Sequence, residues 1–302
     1  MEQYILKTDK LTKIFGSHKA SDSISINVRK GAIYGLIGRN GAGKTTLMKM
    51  ITGLSNPTSG SYSVKGYSGT ELKNARRFVG SLIEAPGLYP DMTAFQNLKC
   101  KCLQCGIKDD ERIMEVLSLV GLSGTGKKKT AKFSYGMKQR LGIAMSLIDR
   151  PELLVLDEPL NGLDPQGIHE FREMLLNLNQ NGITLIISSH ILDELAKIAT
   201  DYGIIHKGRL VEETTAEELL ARCESKVIIR TSGSEKAANI LDRTSIRNFT
   251  VHDGTIEIHG HIDETGRINS ALVSAGIVVD EIYVKSESLE DHYLRLTGGN
   301  ES

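Results

Sequence analysis

Through roughly the first 220 residues, short apolar runs alternate with stretches of helical period, separated by glycine-rich turns. Residues 32–37 (AIYGLI) read as a buried strand; the turn GRNGAGK follows, then a helix over 45–52. Residues 53–60 (GLSNPTSG) carry turn chemistry, and 78–83 (FVGSLI) predict another strand. From 93 to 148 the period is mainly helical, broken by the basic, glycine-containing loop GTGKKKT at 124–130. The apolar run 153–157 (LLVLD) suits a central parallel strand, which is buried on both faces. A helix over 166–179, a strand over 183–187 and a helix from 191 complete the series. This βα alternation predicts an α/β fold: a mainly parallel sheet covered by helices, with a helical subdomain inserted at about 85–149.

The rhythm changes after a polar stretch near 221–225, which divides the chain into an expected first domain, 1–221, and a second, 222–302. In the second, 226–231 and 277–284 predict strands, and 234–243 and 264–275 predict helices. Residues 248–259 predict a hairpin turning at Asp253-Gly254, and 287–296 a last helix. The order βαββαβ plus a helix is that of a small ferredoxin-like α+β domain.

Composition narrows the options. Lys+Arg and Asp+Glu both number 37, so no global charge steers the chain to nucleic acid or to an acidic membrane surface. No apolar run approaches the length of about 20 residues that spans a bilayer. The N-terminal MEQYILKTDKLTK has no apolar core of a secretory signal. A cytoplasmic location follows as the expectation, with any membrane role exercised through a partner. Of four cysteines, Cys223 stands alone. Cys100, Cys102 and Cys105 fall in one predicted helix, where they are either a metal or redox cluster or small buried apolar residues. Helical spacing puts Cys100 and Cys102 on different faces, which favours the second reading.

Gly38-Arg39-Asn40-Gly41-Ala42-Gly43-Lys44-Thr45 satisfies the phosphate-binding P-loop pattern, with Thr46 next. Glycines let backbone N–H groups converge on phosphate oxygens, and the helix N-terminus adds a favourable dipole. Lys44 is expected to reach the β- and γ-phosphates, and the Thr45 hydroxyl to bind Mg²⁺. The strand 153–157 ends in Asp157 and Glu158. The first acid suits metal binding and the second suits polarising an attacking water. Ser134 is placed to cap a helix running on to Ile148. With the Gly136 amide it forms a second anion-binding end, and two such ends on one chain invite head-to-tail dimerisation.

With these residues in place, the chain resembles the nucleotide-binding subunit of ABC transporters from residue 3 to about 220. Residues 133–137 (FSYGM) correspond to that family's signature, usually LSGGQ; Phe133, Tyr135 and Met137 depart from it, while Ser134 and Gly136 are retained. The resemblance implies a D-loop ending at Asp164 and a switch histidine at His190. It also implies an adenine-stacking aromatic at Phe15, for which core packing is the plainer alternative. Its Q-loop glutamine is replaced here by Glu84, a carboxylate still able to ligate Mg²⁺ or its water. Glu84 and the tail beginning Ser288-Leu289-Glu290-Asp291 look like the branch of bacitracin-resistance and lantibiotic-immunity exporters. ATP and Mg²⁺ are the implied cofactors. The implied partners are an integral membrane permease and a second nucleotide-binding subunit, like or unlike this one, with no nucleic acid. An importer subunit, a soluble ABC ATPase acting on ribosomes or DNA, and a nucleotide sensor without turnover are the alternatives.

Overall fold

The computed structural model describes residues 3–222, 225–242, 246–286 and 288–298; Cys223 lies outside them. The chain divides into two compact units, Met1–Ala216 and Glu217–Ser302. The division falls ahead of the polar stretch at 221–225, where the helix Ala216–Arg222 begins.

The first unit is organised around a six-stranded sheet. Its order is Arg209–Thr215, Asp201–His206, Ile33–Ile37, Thr184–Ser189, Leu153–Leu156, Val79–Leu82. Every neighbouring pair is parallel except the outer pair of Asp201–His206 and Arg209–Thr215. Ile33–Ile37, Leu153–Leu156 and Thr184–Ser189 are buried at every position, which is why each carries a run of consecutive apolar residues. Because these three strands are parallel neighbours, their C-terminal ends open on one edge of the sheet, the usual place for a site in such folds. Phe171, Leu175 and Leu178 form the buried face of the helix Pro165–Gln180.

A second, antiparallel sheet packs the strand Tyr4–Phe15 among His18–Ile24, Asn27–Arg29 and Ser59–Val64, with Tyr67–Ser68 at its edge. Ile5, Leu6, Ile26, Val28 and Val64 bury one side of it against Leu47 and Met48 of the helix Lys44–Ile51. Periodicity gave no sign of this sheet. Tyr4–Phe15 does not alternate cleanly between buried and exposed positions, and its register shifts at bulges, with Lys10 at φ 49°.

The helical insertion holds three main helices, each started by a side-chain cap. Thr93 accepts from Gln96 N ahead of Ala94–Gln104, Asp109 from Glu111 N ahead of Asp110–Leu119, and Ser134 from Met137 N ahead of Tyr135–Leu147.

The second unit is a four-stranded antiparallel sheet in the order Phe249–His252, Thr255–His259, Ser225–Arg230, Glu281–Ser286. Val227, Ile229, Ile256 and Ile258 face the helices Ser234–Leu241 and Thr265–Ser274 through Ala237, Leu241, Ile268 and Leu272. This is the ferredoxin-like arrangement expected from the element order. Asp253 (φ 26°) and Gly254 (φ 79°) form the hairpin turn. The last strand corrects the expected span of 277–284: it starts at Glu281. Residues 277–280 instead close the preceding helix, with Gly276 at φ 79° and Ile277 N donating to Leu272 O at 3.1 Å. The last helix, Leu289–Thr297, is started by a capping box of Ser288 and Asp291.

Candidate active site

The turn after Ile33–Ile37 is shaped by glycines, two of which leave no room for a Cβ. A Cβ on Gly38 would meet Ile205 O at 2.5 Å, and one on Gly43, at φ 105°, would meet Ala20 O at 2.3 Å. Gly41 faces open space but holds φ 80°. Gly208 N donates to Ala42 O at 2.9 Å and pins the turn to the outer strands. Asn40 is exposed at the rim, while Thr45 and Thr46 lie in the first turn of the helix Lys44–Ile51.

Three parallel strand ends then bring the chemistry together. Thr45 Oγ1 donates to Asp157 Oδ2 at 2.7 Å. Ser188 Oγ donates to Asp157 Oδ1 at 2.6 Å and accepts from Glu158 N at 2.8 Å. Ser188 is fully buried in Thr184–Ser189. Glu158 has φ 48°, so its side chain leaves the strand end in a direction that ordinary extended backbone would not give. Its Oε2 meets His190 Nδ1 at 2.7 Å and the His190 N–H at 3.3 Å. A carboxylate only accepts, so Nδ1 carries the hydrogen; Nε2 can then donate to an anion only if the ring is doubly protonated.

Lys44 is 5% exposed. Its Nζ donates to Gly38 O at 2.6 Å and lies 3.3 Å from Glu158 Oε1. That approach is an ion pair without hydrogen-bond direction, so Glu158 Oε1 remains a buried acceptor with no hydrogen-bond donor. The donor set fits a phosphate group with a divalent cation: a turn closed to a Cβ at Gly38 and Gly43, a buried ammonium at its floor, a hydroxyl on a carboxylate, and an acid oxygen with no hydrogen-bond donor.

The residues expected to form a second anion-binding end lie together. Ser134 Oγ accepts from Met137 N at 3.3 Å, and a cavity of about 440 Å³ is lined by Ser134, Gly136, Gly162 and Asp164, among others. Asp164 itself caps the helix Pro165–Gln180, accepting from Gly167 N at 2.9 Å. Phe15 ends its strand with the ring 56% exposed and Lys13 Nζ 5.2 Å from its centroid. An exposed ring is not core packing, so the plainer alternative for Phe15 falls.

A family profile described as ABC transporter matches residues 21–161. Bacitracin transport ATP-binding protein BcrA of Bacillus licheniformis is 44% identical over 299 residues, covering 98% of each chain. This chain belongs to the ABC transporter ATP-binding proteins. It is thus an ATP-binding, ATP-hydrolysing subunit of a transporter. A second family member, lantibiotic transport ATP-binding protein SrtF of Streptococcus pyogenes, is also 44% identical, over 211 residues that cover 69% of this chain and 90% of SrtF. Among solved structures, cbiO1 of Clostridium perfringens, part of the ABC transporter complex cbiONQ, has a TM-score of 0.66 at 27% identity. That match covers 80% of this chain and 96% of cbiO1.

Not every residue expected at this ABC-family site is gathered there. Glu84, at φ 64°, makes no hydrogen bond to Thr45 or Asp157; Lys49 Nζ holds its carboxylate at 2.6 Å. Ser188, by contrast, had no expected role and proves to link the two acids. The clue available in the chain was only its place at the end of an apolar strand. Cys102 is buried, and burial pushes its thiol pKa up; Cys100 Sγ lies 3.9 Å from Met92 Sδ. Cys100 and Cys105 are half-buried, and no group of three or more potential metal ligands occurs among the described residues.

Proposed function

We propose that this subunit powers export of a peptide antibiotic of the bacitracin type through a separate membrane permease. One observation carries this reading: the match to the B. licheniformis bacitracin transport protein runs through the C-terminal unit as well as the cassette. A second bacitracin transport ATP-binding protein, from Enterococcus faecalis, is 41% identical over 300 residues, covering 98% of this chain and 97% of its own. The lantibiotic match stops at 69% of the chain, and linearmycin resistance ATP-binding protein LnrL of Bacillus subtilis, which also matches through the C-terminal unit, is only 33% identical, so the higher identity of the two bacitracin transport proteins favours their cargo. No helix among the described residues is long and apolar enough to cross a membrane. In this reading the subunit reaches the cytoplasmic face of the membrane through its permease partner.

In this reading the Thr45 hydroxyl and the Asp157 carboxylate would hold Mg²⁺, and the Glu84 carboxylate would join them on leaving Lys49. The ion supplies charge neutralisation at the phosphates when bound. The P-loop amides of Gly41 and Gly43 and the Lys44 ammonium bind and orient the phosphates, and Phe15 stacks the adenine. Glu158 Oε1, without a donor of its own, accepts a hydrogen from the attacking water and aligns it. His190, in its doubly protonated form, holds Glu158 through Nδ1–H and presents Nε2–H to the γ-phosphate. Ser134 and Gly136 close the site of a second subunit, so that two nucleotides lie between two cassettes. Positioning and electrostatics supply most of the rate, as is general for phosphoryl transfer.

Deleting the gene in its host is expected to lower the bacitracin concentration that stops growth, and the wild-type gene is expected to restore it. Glu158→Gln, expected to cut turnover about a hundredfold, is expected not to restore it. Unchanged bacitracin sensitivity in the deletion strain would contradict the proposed cargo.

A further inference from the structure

Glu84 puts a charge where the family pattern has a neutral amide, and the structure shows what that charge engages. Lys49 Nζ donates to Glu84 Oε1 at 2.6 Å. Lys49 lies four residues after Thr45 in the helix Lys44–Ile51, so the two side chains leave the same helix face one turn apart. Glu84 follows the strand Val79–Leu82, and Leu82 O accepts from Asp157 N at 2.9 Å. The chain carrying Glu84 therefore passes beside both residues of the Thr45–Asp157 pair, yet the carboxylate is drawn to the lysine. The pair is a surface one, with Glu84 67% and Lys49 36% exposed. Water and salt compete for such a contact, so it opens readily.

We propose that Lys49 is a positioning residue that parks the Glu84 carboxylate one helical turn from the metal site and yields it when a divalent cation and nucleotide load there. A glutamine would be held less firmly, because its amide oxygen could accept the hydrogen bond but would offer the ammonium no charge. The inference rests on the reading of Glu84 as a metal-site residue. One carboxylate is shared between two cations, so Lys49 raises the free Mg²⁺ concentration at which nucleotide binding tightens. An exposed pair of this kind sets that competition at about two- to fivefold.

The test is equilibrium binding of a fluorescent, non-hydrolysable ATP analogue as free Mg²⁺ is varied, with melting curves on every variant to establish folding. Lys49→Met is expected to lower the Mg²⁺ midpoint about two- to fivefold, and Lys49→Arg to retain the wild-type midpoint. Glu84→Gln is expected to raise the midpoint, and adding Lys49→Met to Glu84→Gln is expected to change nothing further. An equal Lys49→Met shift in both backgrounds would overturn the proposal, because Lys49 would then act without Glu84. So would a Glu84→Gln shift with no Lys49→Met shift, which would leave Glu84 at the metal site but remove the latch. A Glu84→Gln variant with the wild-type midpoint would overturn the metal role of Glu84, and the latch with it.

Discussion

Replacing Ser188 by alanine removes one oxygen that two site groups share. Ser188 Oγ donates to the Asp157 carboxylate at 2.6 Å, a charge-assisted bond worth about 1.5–3 kcal/mol. The same oxygen accepts from Glu158 N at 2.8 Å, a neutral bond worth about 1 kcal/mol. The residue is fully buried, so water does not easily replace the lost oxygen. Asp157 keeps its bond from Thr45, which limits the loss. The sum is about 2–4 kcal/mol, or a fall of about 5–15 °C in melting temperature for a unit of this size. Turnover is expected to suffer separately. Glu158 is held at φ 48° with its N–H tied to Ser188, and releasing that tie misaligns the acid. A fall of about tenfold to a hundredfold in kcat is expected, with a smaller effect on ATP affinity. Melting curves, phosphate release and binding of a fluorescent ATP analogue measure the three effects. Ser189→Ala serves as the control, because Ser189 Oγ accepts from Ile191 N and makes no contact with Asp157. A Ser188→Ala protein with unchanged melting temperature and unchanged kcat would refute the linkage of the two acids through Ser188.

Glycine substitutions in the P-loop are expected to differ in severity. Gly43→Ala forces a Cβ to within 2.3 Å of Ala20 O at φ 105°, whereas Gly41→Ala meets open space and only the strain of φ 80°. Gly41→Ala is expected to cost about 1–2 kcal/mol and Gly43→Ala clearly more, with loss of nucleotide binding; urea melts giving equal losses would contradict the cradle geometry. Glu152 tests the acid side of stability. Hydrogen bonding from Lys65, aided by Lys30, holds its folded pKa below the ordinary 4.5. A depressed carboxylate pKa adds stability above the unfolded value, and the gain disappears as pH falls through the folded one. Glu152→Gln is thus expected to be less stable than wild type at pH 7, by under about 1 kcal/mol for so partly exposed a group. The gap should close in acid, and urea melts showing a constant gap across that range would contradict the assignment.

What was legible in the chain was what local spacing dictates. The P-loop, the apolar strand ending in Asp157-Glu158 and the Ser134 cap each lie within a few consecutive residues, and each takes the expected local form. The buried strands were legible because both faces are covered, so Leu153–Leu156 is apolar throughout and Thr184–Ser189 carries the apolar run 185–187. The sheet built on Tyr4–Phe15 was hidden, because lysines and bulges interrupt its alternation. Ser188 was hidden for another reason: its role depends on how Thr184–Ser189 pairs beside Leu153–Leu156, a register no single strand encodes. The Glu84–Lys49 pair spans 35 residues and joins a loop to a helix face, so only the folded chain brings it together.

In the proposed head-to-tail dimer one chain carries half of each of two ATP sites, and size-exclusion chromatography of the Glu158→Gln protein shows whether it forms. With Mg-ATP the protein is expected to elute as a dimer, without nucleotide as a monomer, and Glu158→Gln/Ser134→Arg as a monomer in both conditions. A Glu158→Gln protein that is saturated with Mg-ATP, elutes as a monomer, and stays monomeric when mixed with its permease would contradict the account.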